Sequence, residues 1–326
     1  MNRWFSGGRS PRFTARTGAR GVAGRGRVVP AALLVFALAL LGGAAEQAAS
    51  QVGDRQPGAD SPPDSAVAAL LERGLLQEAA WAARAGGDTA RADTILARLD
   101  SILRSAPREA RPLGMDSQGV SYTWRLDYGG GVEAIFKVDG SDIFCRKCGA
   151  DREVAAYRVD RLLGFELTPM TVPTRIVTPR DTLMGSAMYF MHGAVTPAQA
   201  ESRKHDALRL FDAIVGNSDR HEANWLVLAG GRIVAIDHNR AFEYQPPATP
   251  KTCWETEVDA IEAPGKLGDP LARYRSLDDA EVAEAFDGVD PALPERFLAM
   301  RPRILARIDA RATDPDGTLP LADCLF

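Results

Sequence analysis

Apolar residues repeat with a helical period near the start of the chain and with a strand period after residue 120. Residues 65–105 are rich in Ala and Leu and are interrupted once, by GGDT. This pattern predicts two helices that form a hairpin within residues 65–110. VSYTWRLDY and VEAIFKVD then flank three glycines, which predicts a β-hairpin with Lys137 near the end of its second strand.

A second helix signal follows this hairpin. DREVAAYRVDRLLGF carries apolar residues on one helical face, has Glu153 in its first turn and stops at Gly164, a residue suited to a C-cap. TVPTRIVT and TLMGSAMYFM are typical of strands. The first half is therefore predicted to be an antiparallel sheet with one long helix inserted.

Beyond residue 192 the strand signals become rare. The segment that ends in LRLFDAIVG predicts a helix that stops at Gly216, and NWLVLAGGRIVAID predicts a short hairpin with Asp237 at the end of its second strand. From Ser276 onward the pattern is helical. A sheet-rich first half and a helical second half indicate an α+β fold with two lobes.

The N-terminal region has a different composition. Residues 1–27 contain seven Arg and no acid, and the apolar run at 28–45 ends in small residues, which is the layout of a signal peptide at 1–45. An uncleaved membrane anchor or a transit peptide are the alternatives, and a start codon further downstream would leave the protein cytoplasmic. Residues 46–64 are rich in Pro, Gly and Ser and predict a flexible linker. We therefore expect an exported protein, periplasmic, extracellular or anchored with its main domain outside.

Charge and cysteine content limit the classes of partner. The full chain has a net charge of −4, and without the Arg-rich leader the value is −11, which disfavours nucleic acid as a partner. Four cysteines suit an oxidising compartment and one or two disulfides, whose pairing the sequence leaves open, and a zinc site at CRKC is the weaker alternative. They are Cys145, Cys148, Cys253 and Cys324.

One loop concentrates chemically active side chains. In GNSDRHEANWLV, Asp219 and Asn224 are five residues apart, and Asp237 follows 13 residues later. Phosphoryl transfer needs Mg²⁺ held by oxygen ligands and a carboxylate that orients the incoming hydroxyl. The order of these residues predicts Asn224 and Asp237 as metal ligands and Asp219 as the catalytic base. His221 is an alternative base, and Arg220 is expected to be a structural partner of nearby carboxylates.

Phosphates also require a cation. Lys137 lies on a strand that follows a glycine turn, and Glu153 begins the next helix, where it can hold that lysine by an ion pair. Each residue alone has a common structural explanation, a solvated charge or a partner of the helix dipole. Their occurrence in this order favours a nucleotide site.

These segments carry a resemblance to known kinases. FDAIVGNSDRHEANWLV with IVAIDHNRAF resembles the catalytic segment of the phosphatidylinositol 3- and 4-kinase family, most closely the type II phosphatidylinositol 4-kinases. AIFKV, REVAAYRVDRLLGF and TPMTVPTRIV resemble the N-lobe of secretory-pathway kinases that act on casein-like proteins and on proteoglycan xylose. The similarity covers 115–312, with an N-lobe at 115–191, a C-lobe at 192–312 and a tail at 313–326.

The resemblance implies a two-lobed protein-kinase-like fold with ATP and Mg²⁺ or Mn²⁺ in the cleft. Lys137 would contact the ATP phosphates and Glu153 would position it. The backbone of SAMYFM would read adenine as a hinge, at Tyr189, Phe190 and Met191. The chain departs from protein kinases in having DHN in place of Asp-Phe-Gly and no Gly-rich phosphate motif, since Gly129–Gly131 offer only a short turn.

The leading prediction is a kinase that transfers the γ-phosphate of ATP to a hydroxyl, first of protein, then of a lipid head group or a sugar. A nucleotide-binding pseudokinase is the second hypothesis. A metal-dependent phosphohydrolase that uses Asp219, His221, Asp237 and His238 is the third, although it leaves the upstream Lys and Glu without a role.

Overall fold

The computed structural model describes six stretches of the chain. They are residues 63–115, 122–139, 149–197, 205–244, 254–262 and 267–314. The segment 1–45, nearly all of the linker, most of the tail and the four cysteines lie outside them, so the export signal and the disulfides stay predictions. None of the helices in the described stretches combines the length and the apolar character that a membrane span requires.

The first described region holds three helices where the sequence predicted two. They are α1 (Pro63–Glu72), α2 (Leu76–Ala85) and α3 (Thr89–Arg104). The extra break falls at Gly74, whose φ of 74° turns the chain in a region that only glycine enters easily. The predicted break at GGDT is present, and the Asp88 side chain accepts the amide of Arg91 at 3.0 Å to begin α3. A lone Gly in an Ala- and Leu-rich run was too weak a signal to predict the first break.

A five-stranded antiparallel sheet follows the helices, made of β1 (Glu109–Met115), β2 (Tyr122–Gly129), β3 (Val132–Val138), β4 (Thr171–Val177) and β5 (Thr182–Tyr189). The strand order is β1-β2-β3-β5-β4. The strand β1 was not predicted, and it places the start of the sheet before residue 115. Between β3 and β4 the chain forms the long helix α4 (Ala150–Leu163), which ends at Gly164 in the left-handed conformation, as predicted.

The two faces of the sheet have different neighbours. Leu126 and Phe136 point to one side and form a single buried core with Trp81 and Leu99 of the helical layer. Alternation along β3 turns Lys137 to the opposite face. The layer α1–α3 therefore packs on one face and leaves the face of Lys137 for α4 and the second lobe.

The second lobe is mainly helical and has its own core. Phe211, Phe242, Tyr274 and Phe297 lie in this core and are fully buried. Its elements are α5 (Asp206–Val215), a 3-10 turn (Glu222–Asn224), β6 (Trp225–Val227), β7 (Ile233–Ala235), α6 (Trp254–Asp259), α7 (Gly268–Ser276), α8 (Asp279–Ala285) and α9 (Ala292–Thr313). Two separate cores, one sheet-rich and one helical, confirm the predicted α+β fold with two lobes.

The helical layer also contacts the chain beyond the sheet. The Gln77 amide group is buried, donates to the carbonyl of Thr168 at 2.9 Å and accepts the amide of Met170 at 2.6 Å. Arg232, between β6 and β7, lies 4.0 Å from the centre of the Trp81 ring. The layer thus supports both the sheet and the small β6–β7 hairpin.

Candidate active site

Lys137 is the meeting point of residues that are distant in sequence. Its Nζ lies 2.5 Å from Oε1 of Glu153 on α4 and 2.6 Å from Oδ1 of Asp237, which follows β7. The side chain of Lys137 is 14% exposed and that of Glu153 is 2% exposed, whereas 35% of Asp237 remains accessible. One lysine therefore bridges two carboxylates, and the outer carboxylate faces the accessible side.

Local structure explains why these three side chains meet. Lys137 is on the sheet face turned toward α4, and Glu153 is in the first turn of that helix. The helix approaches the chain beyond β7 closely, because its N-cap residue is Gly149. A Cβ at that position would collide with the carbonyl oxygen of Asn239. The predicted order of strand Lys, helix Glu and strand-end Asp thus becomes one cluster.

The charges of the cluster shift its pKa values in a consistent way. Burial alone would lower the pKa of Lys137, but Asp237 and Glu153 raise it above its usual value, so the ammonium stays charged. Burial would raise the pKa of Asp237, and Lys137, with smaller contributions from Arg220 and His221, holds it below its usual value. Burial also raises the pKa of Glu153, with Lys137 opposing it. Asp237 is accordingly an ionised carboxylate at neutral pH.

The loop after α5 is fixed from inside by Arg220. Gly216 ends α5 with a φ of 58°, and the chain then turns back toward the sheet. The guanidinium of Arg220 forms an ion pair with Asp212 of α5 at 2.9 Å, and both side chains have no solvent exposure. It also donates to the carbonyls of Asn224 and Ile236. Arg220 is thus a structural partner of a nearby carboxylate, which is the role that the sequence predicted for it.

Asn224 joins the loop to the end of β7. Its side-chain amide donates to the carbonyl of Asp219 at 2.8 Å, and its own carbonyl accepts the amide of Ile236 at 3.1 Å. Asp219 and the residue before Asp237 therefore both contact Asn224. The structure brings the three predicted residues Asp219, Asn224 and Asp237 into one region.

His221 is exposed at the mouth of this region. Its Nδ1 accepts the amide of Ala223 at 3.2 Å and so caps the short 3-10 turn. Its charge contributes to the lowered pKa of Asp237, which places it within electrostatic reach of that carboxylate. His221 thus has a structural contact through one ring nitrogen.

Asn224 and Asp237 suit a hard divalent cation. Because the Asn224 side-chain nitrogen is engaged, its amide oxygen is the atom left to serve as a ligand. Asp237 has a φ of 60°, which is rare for a residue with a side chain and is often found where function fixes the backbone. Amide and carboxylate oxygens are the ligands that Mg²⁺ and Mn²⁺ take in proteins, so the donor set fits.

His238, the residue after Asp237, is buried. It is 2% exposed, and its Nε2 lies 2.9 Å from Nη2 of Arg220. Burial, with Arg220 and Lys137, lowers the pKa of His238 well below its usual value, so the ring is neutral. A buried ring with this contact is poorly placed to bind a metal, which removes one of the groups that the hydrolase hypothesis needs.

The glycine turn between β2 and β3 does not lie near the lysine. Thr123, at the start of β2, is opposite Lys137, so Gly129–Gly131 are at the other end of the strand pair, roughly 20 Å away at the usual rise per residue. The turn packs instead against Gly74 of the helical layer. These glycines, which the sequence showed to offer only a short turn, therefore do not lie where they could clamp phosphate at Lys137. Residues 116–121, which connect β1 to β2, are outside the described stretches.

The predicted hinge is partly engaged in internal contacts. The amide of Tyr189 donates to the carbonyl of Met170 at 2.8 Å, and that of Phe190 donates to the carbonyl of Glu133 at 2.9 Å. The Tyr189 hydroxyl points into the helical layer, 3.2 Å from Oε2 of Glu78. These two amides are therefore not available to a base. A backbone amide of this predicted hinge that binds adenine would therefore have to be that of Met191.

Several residues of the site carry no signal in the sequence. Leu226 and Ile236 are half-buried apolar side chains on either side of the β6–β7 hairpin, packed against the first core. Arg125 binds both oxygens of Glu133, at 2.9 and 2.6 Å, and lies 4.6 Å from the Phe190 ring. Their spacing is that of ordinary strand residues, so the sequence gives no reason to single them out.

This arrangement of a strand lysine, a helix glutamate and a loop with two carboxylates defines a candidate phosphoryl-transfer site in a two-lobed α+β chain. No family model matches the chain, and no curated protein matches it. Solved structures of kinases are similar at a low level.

The chain is similar to the crystal structure of the Golgi casein kinase with Mn/ADP bound, with a TM-score of 0.45 and 16% identity over 67% of this chain and 75% of that chain. A second structure of the Golgi casein kinase has the same TM-score and identity over 72% of this chain and 78% of that chain. The Helicobacter pylori proinflammatory kinase CtkA gives a TM-score of 0.41 and 13% identity over 65% of this chain and 97% of that chain. The resemblance to type II phosphatidylinositol 4-kinases stays a prediction.

Proposed function

We propose that the protein is an ATP-dependent kinase that transfers the γ-phosphate to a hydroxyl acceptor. The observation that carries the proposal is the double contact of Lys137 with Glu153 and Asp237. A buried, charged lysine shared by two carboxylates has more negative than positive charge around it, which suits a site that receives a divalent cation together with phosphate.

Each residue has a distinct role in this proposal. Lys137 binds phosphate oxygens, and Glu153 holds its ammonium in place. Asn224 and Asp237 hold Mg²⁺ or Mn²⁺, which when bound neutralises phosphate charge. Lys137 must then exchange its contact with Asp237 for one with phosphate, while its contact with Glu153 persists. Met191 falls opposite Val132 in the register of β3 and β5, so about five strand residues, or roughly 17 Å, separate it from Lys137 and leave room for a nucleotide along β3.

Asp219 is our candidate for the general base. A base must lie beside the acceptor hydroxyl, and Asp219 is on the loop that Arg220 holds rigid, next to Asn224. His221 remains the second candidate, because it is exposed at the same loop and its unperturbed chemistry suits proton transfer near neutral pH.

The acceptor is proposed to be a protein hydroxyl of Ser or Thr. This choice is supported by the sequence resemblance of the N-lobe to secretory protein kinases and by the predicted export of the chain. A lipid head group and a sugar are the other acceptors that the same chemistry permits. The protein is proposed to act outside the cytoplasm, with attachment to a membrane through 28–45 if that segment is retained.

The decisive experiment supplies the purified protein with γ-labelled ATP and Mg²⁺ or Mn²⁺. Label is followed into the protein itself, a casein-like protein, lipid vesicles, free sugars and inorganic phosphate. Transfer to a hydroxyl that is lost in Asp237→Ala supports a kinase. Nucleotide binding without turnover identifies a pseudokinase, and metal-dependent release of phosphate from many esters identifies a hydrolase. Either of these two results contradicts the proposal.

A further inference from the structure

His238 connects the candidate active site to the interior of the second lobe. Its ring lies edge to face with Phe211 of α5, at 5.6 Å between centroids. On one side Nε2 is 2.9 Å from Nη2 of Arg220, and on the other Nδ1 is 3.8 Å from Oε2 of Glu153. A residue of the second lobe thus lies between a buried arginine and the glutamate that holds Lys137.

The hydrogen bond with Arg220 determines the tautomer of this ring. A guanidinium has only donors, so Nε2 of His238 must be the acceptor. The proton of the neutral ring is then on Nδ1, which faces Glu153. The distance of 3.8 Å is too long for a hydrogen bond, yet Oε2 of Glu153 is buried and has no hydrogen-bond partner among the described residues. The backbone amide of His238 also acts on this carboxylate and helps to hold the pKa of Glu153 down, so both the ring and the main chain of His238 face Glu153.

The contacts form one polar chain across the two lobes. Asp212 fixes Arg220, Arg220 fixes the His238 ring, and His238 faces Glu153, whose other oxygen binds Lys137. Protein kinases carry Phe at the residue after the metal-binding Asp. An apolar ring there can pack against its surroundings, but it can neither accept from an arginine nor donate to a carboxylate.

We infer that His238 is a positioning residue that holds Glu153, and through it Lys137, in the orientation that binds nucleotide. This inference rests on the proposed function. Its consequence is that the segment after Asp237 is fastened to α5 and α4 by polar contacts, so Lys137 and Asp237 are in place before ATP binds.

The first measurement uses the protein without nucleotide. The full-length wild type and His238→Phe are treated with an amine-reactive ester, and modification of Lys137 is followed with time by peptide mass spectrometry. Because His238→Phe removes the ring N–H that faces Glu153 and keeps only the backbone amide, we expect Lys137 to react severalfold faster in this variant. His205→Phe changes an exposed histidine at the start of α5 and should keep the wild-type rate. Equal rates for His238→Phe and the wild type would overturn the inference.

A matched pair of amides covers the case in which His238→Phe does not fold. In His238→Gln the side-chain oxygen can reach Arg220 as Nε2 does, whereas in His238→Asn the side chain is one bond too short. We expect wild-type labelling of Lys137 in the Gln variant and faster labelling in the Asn variant. Faster labelling in both variants, or in neither, contradicts a positioning role.

The second measurement uses a fluorescent ATP analogue with Mn²⁺. His238→Phe should weaken its binding by about tenfold, the size seen when an outer partner of a site is removed, and His238→Gln should restore it. If the wild type binds no nucleotide, the proposed function fails, while the labelling of Lys137 still decides the role of His238. If His238→Phe binds the analogue as the wild type does, the inference fails and the proposed function stands.

Discussion

The guanidinium of Arg220 and the carboxylate of Asp212 form an ion pair with no solvent exposure on either side chain. The pair links α5 to the loop that carries Asp219 and Asn224. Arg220 also donates to the carbonyl of Ile236 at 2.7 Å, one residue before Asp237. Two of the segments that supply the candidate site are therefore held together by one buried cation.

Removal of the carboxylate partner should destabilise the whole lobe. Asp212→Ala leaves the charge of Arg220 buried and without its counterion, and we expect a loss of about 3–5 kcal/mol in the free energy of unfolding. Urea unfolding followed by circular dichroism measures this loss. Asp309→Ala, which removes an exposed partner of Arg275, is the matched control and should lose no more than about 1 kcal/mol. Similar losses in both variants would contradict a special role for the buried pair.

Glu153→Gln should weaken ATP binding more than it slows transfer. The variant keeps the size of the side chain but leaves Lys137 with Asp237 as its one carboxylate partner within the described stretches, in competition with the metal. We expect the KM for ATP to rise about tenfold, with a smaller change in kcat. Steady-state kinetics with a fixed acceptor measure both constants. Glu295→Gln, in the exposed first turn of α9, is the control, and an unchanged KM in Glu153→Gln would show that Glu153 does not position the lysine.

Gly74 and Gly87 provide a matched test of how the helical layer docks on the sheet. Both have a positive φ, 74° and 86°, so Ala at either position should lose about 1–2 kcal/mol through backbone strain. A Cβ at Gly74 would also collide with the carbonyl of Gly130, whereas a Cβ at Gly87 would meet open space. We expect Gly74→Ala to lose about 1–3 kcal/mol more than Gly87→Ala in urea unfolding. Equal losses would mean that the glycine turn and the helical layer separate at little cost.

The sequence predicts best those parts of the fold that depend on local signals. The helix from Ala150 to Leu163 has a regular apolar face and a glycine stop, and the strand around Lys137 alternates strictly, so both were expected. Strand β1 was missed because EARPLGM contains Pro and Gly and has a weak alternation. Its position is set by pairing with β2, which is a contact that no local pattern reveals.

The candidate site was predictable where the order of residues along the chain reflects the chemistry. Asp219, Asn224 and Asp237 are close in sequence, and their spacing suffices to group them. The Gly129–Gly131 turn was expected to offer only a short connection, and its distance from Lys137 follows from strand register, which places the two at opposite ends of β3. His238 could be recognised as a link to Glu153 only from the packing of α4, since 85 residues separate the two in the sequence.

Asp160 gives the protein a pH-dependent contribution to stability. The carboxylate is 1% exposed and accepts the amides of Leu167 at 3.0 Å and Thr168 at 3.3 Å. Burial raises the pKa of Asp160 to about 7, with the two amides opposing it. An unfolded Asp has a pKa of about 3.9, so between about pH 4 and pH 7 the folded protein binds more protons than the unfolded chain. This residue alone therefore makes stability fall as the pH rises through that window.

Asp160→Asn should remove that dependence. The Asn side chain cannot ionise, yet its oxygen can still accept one of the two amides. We expect the variant to lose a slope of at most about 1.4 kcal/mol per pH unit between pH 4 and pH 7, and to gain stability relative to the wild type as the pH rises. Urea unfolding at a series of pH values measures the difference. Asp279→Asn, at an exposed position in the first turn of α8, is the control. Parallel stability profiles for Asp160→Asn and the wild type would show that Asp160 is ionised throughout this range in the folded protein.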